Sequence, residues 1–167
     1  MTAKNHTQAT QQTSKRNPAL SRLDALVGEW EIEASIEGQP VARSKTKFEW
    51  LEGGAFLVQH IRAEPPLPNT PPEWVANAPQ EGTTIMGLDD ATETFYMLYA
   101  DSRGVSRVYQ MSLSDGVWKI WRDAPGFNQR FTGAFSDDGN TINSQWEFSK
   151  DGANWEIDFN FTYKKIT

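Results

Sequence analysis

The sequence predicts an all-β fold, an antiparallel up-and-down barrel of roughly ten strands with a short N-terminal helix. Three observations predict it. Apolar and polar residues alternate with period two through most of the chain after Gly28. Gly-Gly and Asp-Gly pairs interrupt that alternation at hairpin spacing. Aromatic residues, 12% of the chain, gather on one face of the alternation. An antiparallel meander of this size, with one greasy face and mostly short connections, closes most simply on itself.

The chain has 167 residues, which suits one domain with a real core. Its net charge of −6 argues against a nucleic-acid partner, because phosphate binding needs a basic surface. There are no cysteines, so disulfides and thiolate metal sites are excluded, in keeping with a cytoplasmic setting. Residues 1–17 are polar and rich in Thr, Gln and Lys, and read as a disordered tail rather than a signal peptide. Residues 18–167 form the expected barrel domain. No run approaches the ~18 apolar residues of a spanning helix, so no membrane partner is expected.

Asn17-Pro18 is a helix start, since Asn caps free N–H groups and Pro suits the first helical position. Leu20, Leu23, Leu26 and Val27 make its apolar face, and Gly28 ends it. Trp30, Ile32, Ala34 and Ile36 then alternate with Glu29, Glu31, Glu33 and Ser35, which is a strand with one dry face. Gly53-Gly54 turns the strand ending in Phe48 and Trp50 back into Leu57, Gln59 and Ile61. Residues 64–80 hold six of the nine prolines and are expected as a long loop. That loop is either a lid over the barrel mouth anchored by Trp74 or a solvated connection.

Ser102-Arg103-Gly104 suits a three-residue hairpin loop with Gly left-handed, which pairs Tyr99 with Arg107 and Met97 with Tyr109. Asp115-Gly116, Asp138-Gly139 and Asp151-Gly152 each read as a two-residue hairpin turn, and a turn fixes register on both sides. The first places Tyr109 opposite Arg122 and Leu113 opposite Trp118. The second places Phe131 opposite Trp146 and Gln129 opposite Phe148. The third places Phe148 opposite Trp155 and Trp146 opposite Ile157. The other face pairs Arg130 with Glu147, as a wet surface should.

Gly28-Glu29-Trp30, where the helix meets the first strand, resembles the Gly-x-Trp opening of lipocalins. A longer resemblance spans about residues 20–164. The runs LVGEW, FEWLEGGAFLVQ, DSRGVSRVYQMSL, WKIWRDAPGFNQRFTGAFSDDGNTI and WEFSKDGANWEIDFNFTY are similar to a bacterial family with lipocalin-like barrels, domain of unknown function 1579. That resemblance implies the fold and little about activity.

The chemistry is then sought among inward side chains. Most are apolar core, Trp50, Trp118 and Trp146 among them, and these three would line any hollow. The polar exceptions are Arg107, Tyr109, Arg122, Tyr99, Gln129 and Gln59. A buried guanidinium needs an anion, so two arginines in one barrel imply Asp101, a ligand carboxylate, or both. Arg107-Val108-Tyr109 resembles the Arg-x-Tyr carboxylate clamp of fatty-acid-binding proteins, though there it lies on the last strand. The alternative places both arginines at the rim, in water or beside Asp101 or Asp123. Haem-binding barrels related to nitrobindin ligate iron through a late-strand histidine, and none follows His60 here. His60 reads as a surface residue and His6 lies in the tail. No metal site and no cofactor are expected, and no catalytic motif is present.

Three functions stay open. One is a binder of a small amphipathic or hydrophobic molecule, of a carboxylate-bearing, fatty-acid-like kind. The second is a small enzyme that uses Tyr, Arg and Asp on a bound ligand. The third is a packed barrel used for protein contacts. Tyr96, Leu98, Val108 and Trp121 form an outer-wall patch expected to serve a homodimer.

Overall fold

The computed structural model describes residues 16–167. The tail expected over residues 1–17 therefore lies outside the described residues, except for its last two. Asn17 accepts from the Ala19 N–H at 2.9 Å and caps the helix, while Arg16 lies 4.1 Å over the Trp50 ring.

Pro18–Leu26 is a 3-10 helix, and its leucines recur every three residues as that geometry requires. Leu20, Leu23 and Leu26 are all buried. Ten antiparallel strands follow: β1 (Gly28–Ile36), β2 (Gln39–Leu51), β3 (Phe56–Ala63), β4 (Glu81–Asp89), β5 (Thr94–Asp101), β6 (Ser106–Ser114), β7 (Val117–Arg122), β8 (Asn128–Phe135), β9 (Thr141–Ser149) and β10 (Glu156–Lys165). Each pairs with its sequence neighbours, and β1 pairs with β10, so the sheet closes into a barrel. Closure leaves no long edge strand. A six-residue helix, α1 (Pro72–Asn77), sits inside the long β3–β4 loop.

The 3-10 helix closes one end of the barrel. Its leucines pack into a core with Trp30, Phe48, Leu57, Met86, Met111, Phe131 and Ile142. The Trp30 indole N–H donates to the Leu26 carbonyl at 2.8 Å and ties helix to wall. Gly133 lies opposite Trp118, where a larger residue would strike Ile142 and Phe131. The half of the barrel near the 3-10 helix is thus solid, and the other half holds the space described below.

The hairpins differ in how fully the pattern placed them. Asp115 and Gly116 both have positive φ (52° and 71°), so this is the expected two-residue turn, and Leu113 faces Trp118. Gly104 has φ 77° and the 102–104 loop pairs Tyr99 with Arg107 and Met97 with Tyr109. At Asp138-Gly139 the register holds, with Phe131 opposite Trp146, but the turn is longer. Only Gly139 is left-handed there, and its N–H bonds back to the Ser136 carbonyl at 2.9 Å.

The third hairpin corrects the sequence reading. Phe148 faces Glu156 rather than Trp155, and Trp146 faces Phe159 rather than Ile157. The cause is local. The Asp151 carboxylate accepts from the N–H groups of Ala153 and Asn154 at 2.9 and 2.8 Å, which lengthens the loop. A bulge at Asp158 then restores the inward face of β10. Ile157, expected inside, is 61% exposed, and Trp155 stacks under the Arg130 guanidinium at 4.2 Å. Outside, Arg130 grips Glu147 through two bonds of 2.7 and 2.8 Å, as expected.

Among the described residues, no helix is long and apolar enough to cross a membrane. On the outer wall Leu98 and Val108 face each other and are well exposed, with Ile85 beside Leu98. Tyr96 lies opposite Gln110, whose side chain accepts from the Trp121 indole N–H at 2.7 Å.

Candidate functional site

The end of the barrel away from the 3-10 helix encloses a cavity of about 460 Å³, to which every strand contributes. That is within the usual range for a small-molecule site. Its wall is mostly apolar: Ile32, Ile61, Met97, Ile120, Trp146, Phe159 and Phe161. Trp118 and Tyr163 lie at its inner side against the solid half of the core.

The long loop covers part of the mouth. Trp74 on α1 packs edge-on against Phe159 at 5.3 Å, and Thr70 donates to the Val41 carbonyl at 2.5 Å. The Arg103 guanidinium donates to the Asn77 carbonyl at 3.1 Å, and the Ser102 hydroxyl accepts from the Gln80 N–H at 3.0 Å. Of the two readings of residues 64–80, the structure thus has Trp74 anchored over the barrel.

Polar side chains enter the cavity from three directions. From β6, Tyr109 is buried and donates to Gln129 at 2.7 Å, and its ring packs edge-on against Trp146. Arg107, two residues nearer the mouth, donates to the same Gln129 oxygen at 3.4 Å and lies 4.8 Å over the Phe127 ring. From β3 and β4, Gln59 accepts from the Thr84 hydroxyl at 3.2 Å. From β5, Tyr99 donates to Asp101 at 2.6 Å.

Asp101 is not a partner for Arg107. It takes Arg103 instead, at 2.6 Å, because both lie on the same tight loop. Arg103 and then the Tyr99 hydroxyl hold the Asp101 carboxyl well below the usual range. Burial first, and then the neighbouring carboxylate, push the Tyr99 phenol well above its usual value. Among the described residues neither Arg107 nor Arg122 forms an ion pair, with Asp101, Asp123 or any other carboxylate.

Arg122 takes a different place from the one its register suggested. The β6–β7 ladder runs only from Gln110–Trp121 to Ser114–Val117. Residues 106–109 of β6 therefore have no partner on β7, and the wall parts there. A side cleft of about 420 Å³ fills the gap, lined by Ser106, Arg107, Tyr109, Trp121, Arg122 and Asp123 among others. Arg122 lies in this cleft, its guanidinium 5.8 Å from the Tyr109 ring centroid, and does not line the main cavity. Arg107 and Tyr109 line both spaces.

Of the nine residues singled out from sequence, seven line the cavity: Arg107, Tyr109, Tyr99, Gln129, Gln59, Trp118 and Trp146. Trp50 does not. It sits at the closed end, where its indole N–H donates to Asp24 at 2.8 Å. Tyr163, Phe127 and Asp158 are among the cavity residues that were not singled out. Tyr163 could have been found, since it continues the alternation of Phe159 and Phe161. Phe127 lies in a loop with no periodicity to follow. Asp158 lines the cavity only because the bulge turns it there, and burial raises its carboxyl above the usual range. Among the described residues no cluster of His and carboxylates could hold a metal ion.

No protein-family model and no curated protein matches the chain. Solved structures are similar in shape. The crystal structure of Rv2717c from M. tuberculosis is 14% identical, with a TM-score of 0.60, covering 92% of this chain and 100% of that one. This likeness shows the fold alone. A protein of unknown function from Nostoc punctiforme, in the DUF3598 family, is 8% identical with a TM-score of 0.28, covering 90% and 100%. That score carries no argument.

Proposed function

We propose that the protein binds a small amphipathic carboxylate inside the barrel, head at Arg107 and chain among the aromatic side chains. The observation that carries this is an unpaired guanidinium on the wall of an apolar hollow. Phe127 and Gln129 hold Arg107 in place without neutralising it. Such a group is costly to cover unless an anion meets it. An apolar hollow of this size excludes water poorly matched to it and favours a chain. At ~30 Å³ per water-sized group, the volume suits on the order of fifteen non-hydrogen atoms.

The reading keeps one arginine of the two foreseen. Arg122, in the side cleft, has no part in holding the head group. Membership in the family of domain of unknown function 1579, suggested by residues 20–164, belongs with this reading and rests on sequence resemblance.

Nothing favours acid–base catalysis by Tyr99 and Asp101. Burial, and then the bond to Asp101, pushes the phenol up, while Arg103, and then the Tyr99 hydroxyl, holds the carboxylate down, so neither has the pKa a proton-transfer group needs near neutrality.

The test is direct. The chain, unfolded and refolded to strip host molecules, is titrated with octanoate, decanoate and dodecanoate by calorimetry. Saturable one-to-one binding with raised thermal stability is expected. No binding of any of the three up to about 1 mM, a level corresponding to ~4 kcal/mol of affinity, would remove the reading.

A further inference from the structure

Six charged side chains line the cavity, and most have a counter-charge of their own. Arg43 pairs with Glu33 at 3.0 Å, Glu81 with Arg62 at 3.3 Å and Arg103 with Asp101 at 2.6 Å. Glu73 is exposed on α1. The other two are Arg107 and Asp158. Both are half-buried, and among the described residues neither forms an ion pair, with the other or with any third group.

Asp158 owes its place to the bulge in β10. Ile157 pairs with Glu147 and Phe159 with Trp146, so Asp158 is the extra residue between them. It lies next to the ring on which Trp74 packs. Burial raises its carboxyl, and neither a hydrogen bond nor a cation offsets that. Its oxygens can still be reached. The Trp118 indole nitrogen is the polar side-chain atom among the described residues that is both sealed and unpartnered, and the Asp158 oxygens are not.

The barrel order runs β10, β9, β8, β7, β6, so three strands lie between Asp158 and Arg107. The two charges therefore stand on well-separated parts of one wall. A plain fatty acid answers half of this arrangement. Its carboxylate meets Arg107, while its chain displaces water from the hollow beside Asp158. A carboxylate that loses water and gains no partner is costly. A hydroxyl would bring Asp158 one donor and no charge. A protonated amine brings a full charge and three donors, and charge-assisted hydrogen bonds are the strong ones.

We infer that Asp158 receives a protonated amine of the molecule held in the barrel, at the end remote from the carboxylate at Arg107. The ligand is then an amino-bearing, zwitterionic carboxylate rather than a plain fatty acid. This rests on the reading above that a carboxylate binds at Arg107, and it adds the chemistry of the other end.

The test uses probes of known charge at neutral pH and fixed salt, read by calorimetry. Decylammonium, a cation with no carboxylate, should bind the wild type. Asp158→Asn should weaken it about tenfold or more, because the variant keeps the shape of the side chain and loses its charge. Decanol should bind both proteins alike, which also reports that the variant's cavity is intact. Glu156→Gln removes an exposed charge on the same strand and should leave decylammonium affinity within about twofold. The acids octanoate, decanoate and dodecanoate are then compared with 8-aminooctanoate, 10-aminodecanoate and 12-aminododecanoate. At least one amino acid should bind about tenfold more tightly than its parent, and Asp158→Asn should cancel that gain. Decylammonium affinity indifferent to Asp158→Asn, or no amino acid tighter than its parent, would overturn this inference alone. Failure of fatty acids and amino acids alike to bind would overturn it together with the reading beneath it.

Discussion

Replacing Arg107 by methionine separates charge from shape at the cavity wall. The variant keeps most of the apolar stem and loses the guanidinium. In the free protein little should change, because Arg107 makes one long hydrogen bond to Gln129 at 3.4 Å and a stack on Phe127. A partly exposed stack of this kind is worth ~0.5–1 kcal/mol, so the melting temperature should move by no more than about 2–4 °C. Binding should change far more. A hydrogen bond to a charged group contributes ~1.5–3 kcal/mol, and ~1.4 kcal/mol is tenfold in affinity. Arg107 is half-buried, and water at the mouth screens it, so the lower part of that range applies. Decanoate should therefore bind about tenfold to thirtyfold more weakly. Decanol, which has the same chain and no charge, should bind the variant and the wild type alike. Arg122→Met serves as the control and should leave both affinities within about twofold, since Arg122 does not line the cavity. Calorimetry of both probes on all three proteins decides the matter. Unchanged decanoate affinity in Arg107→Met, or equal losses for decanoate and decanol, would refute the reasoning.

Three further predictions follow from the same geometry. Trp74→Ala removes the side chain that packs on Phe159 over the mouth, so decanoate should dissociate about tenfold faster in stopped-flow fluorescence, with a smaller effect on unfolding; an unchanged rate would mean α1 does not cover the site. Gly133→Ala inserts a methyl group against Ile142 and Phe131 beneath Trp118, and urea unfolding should show a loss of about 1–3 kcal/mol, whereas a neutral result would contradict the tight packing of the closed half. Asp158→Asn should stabilise the free protein at neutral pH, because burial raises this carboxyl above its unfolded value and its ionised form is disfavoured in the fold. That gain is full above the raised folded pKa, shrinks as pH falls through it, and vanishes below the ordinary aspartate value of about 3.9, where both states are protonated; a gain that persists at pH ~3 would point to another cause.

How far the site could be read in advance depended on turn chemistry. Around Asp115-Gly116 both residues are left-handed, so the turn and the register coincide and Trp118 faces inward as the pattern requires. Asp151-Gly152 looks the same in sequence. There the Asp151 side chain folds onto the backbone N–H groups that follow, the loop lengthens, and the pairing of β10 shifts. The alternation of Phe159, Phe161 and Tyr163 still marks their common inward face, because the bulge restores it. The pattern could not place Asp158, the residue the bulge consumes.

Arg107 and Arg122 show the other limit. Pairing rules extended from Asp115-Gly116 put both arginines in one space. The ladder between β6 and β7 in fact stops at Gln110–Trp121, and Arg122 is left in the side cleft. Beyond it the chain turns through Pro125 and Gly126, closed by a Phe127 N–H to Ala124 carbonyl bond at 2.9 Å. Asp101 was within reach of Arg107 by register alone, but a neighbour two residues along its own loop reaches it first.

What the sequence by itself determined is therefore local and periodic: a capped helix, roughly ten alternating strands, most hairpin registers, and most of the side chains that share the inner face. These follow from backbone geometry and side-chain spacing, which act over a few residues. What only the tertiary structure decided is where the interior is filled and where it is hollow, and which of the two arginines lines that hollow. Those depend on how ten strands close around a fixed volume, a constraint that no single segment carries.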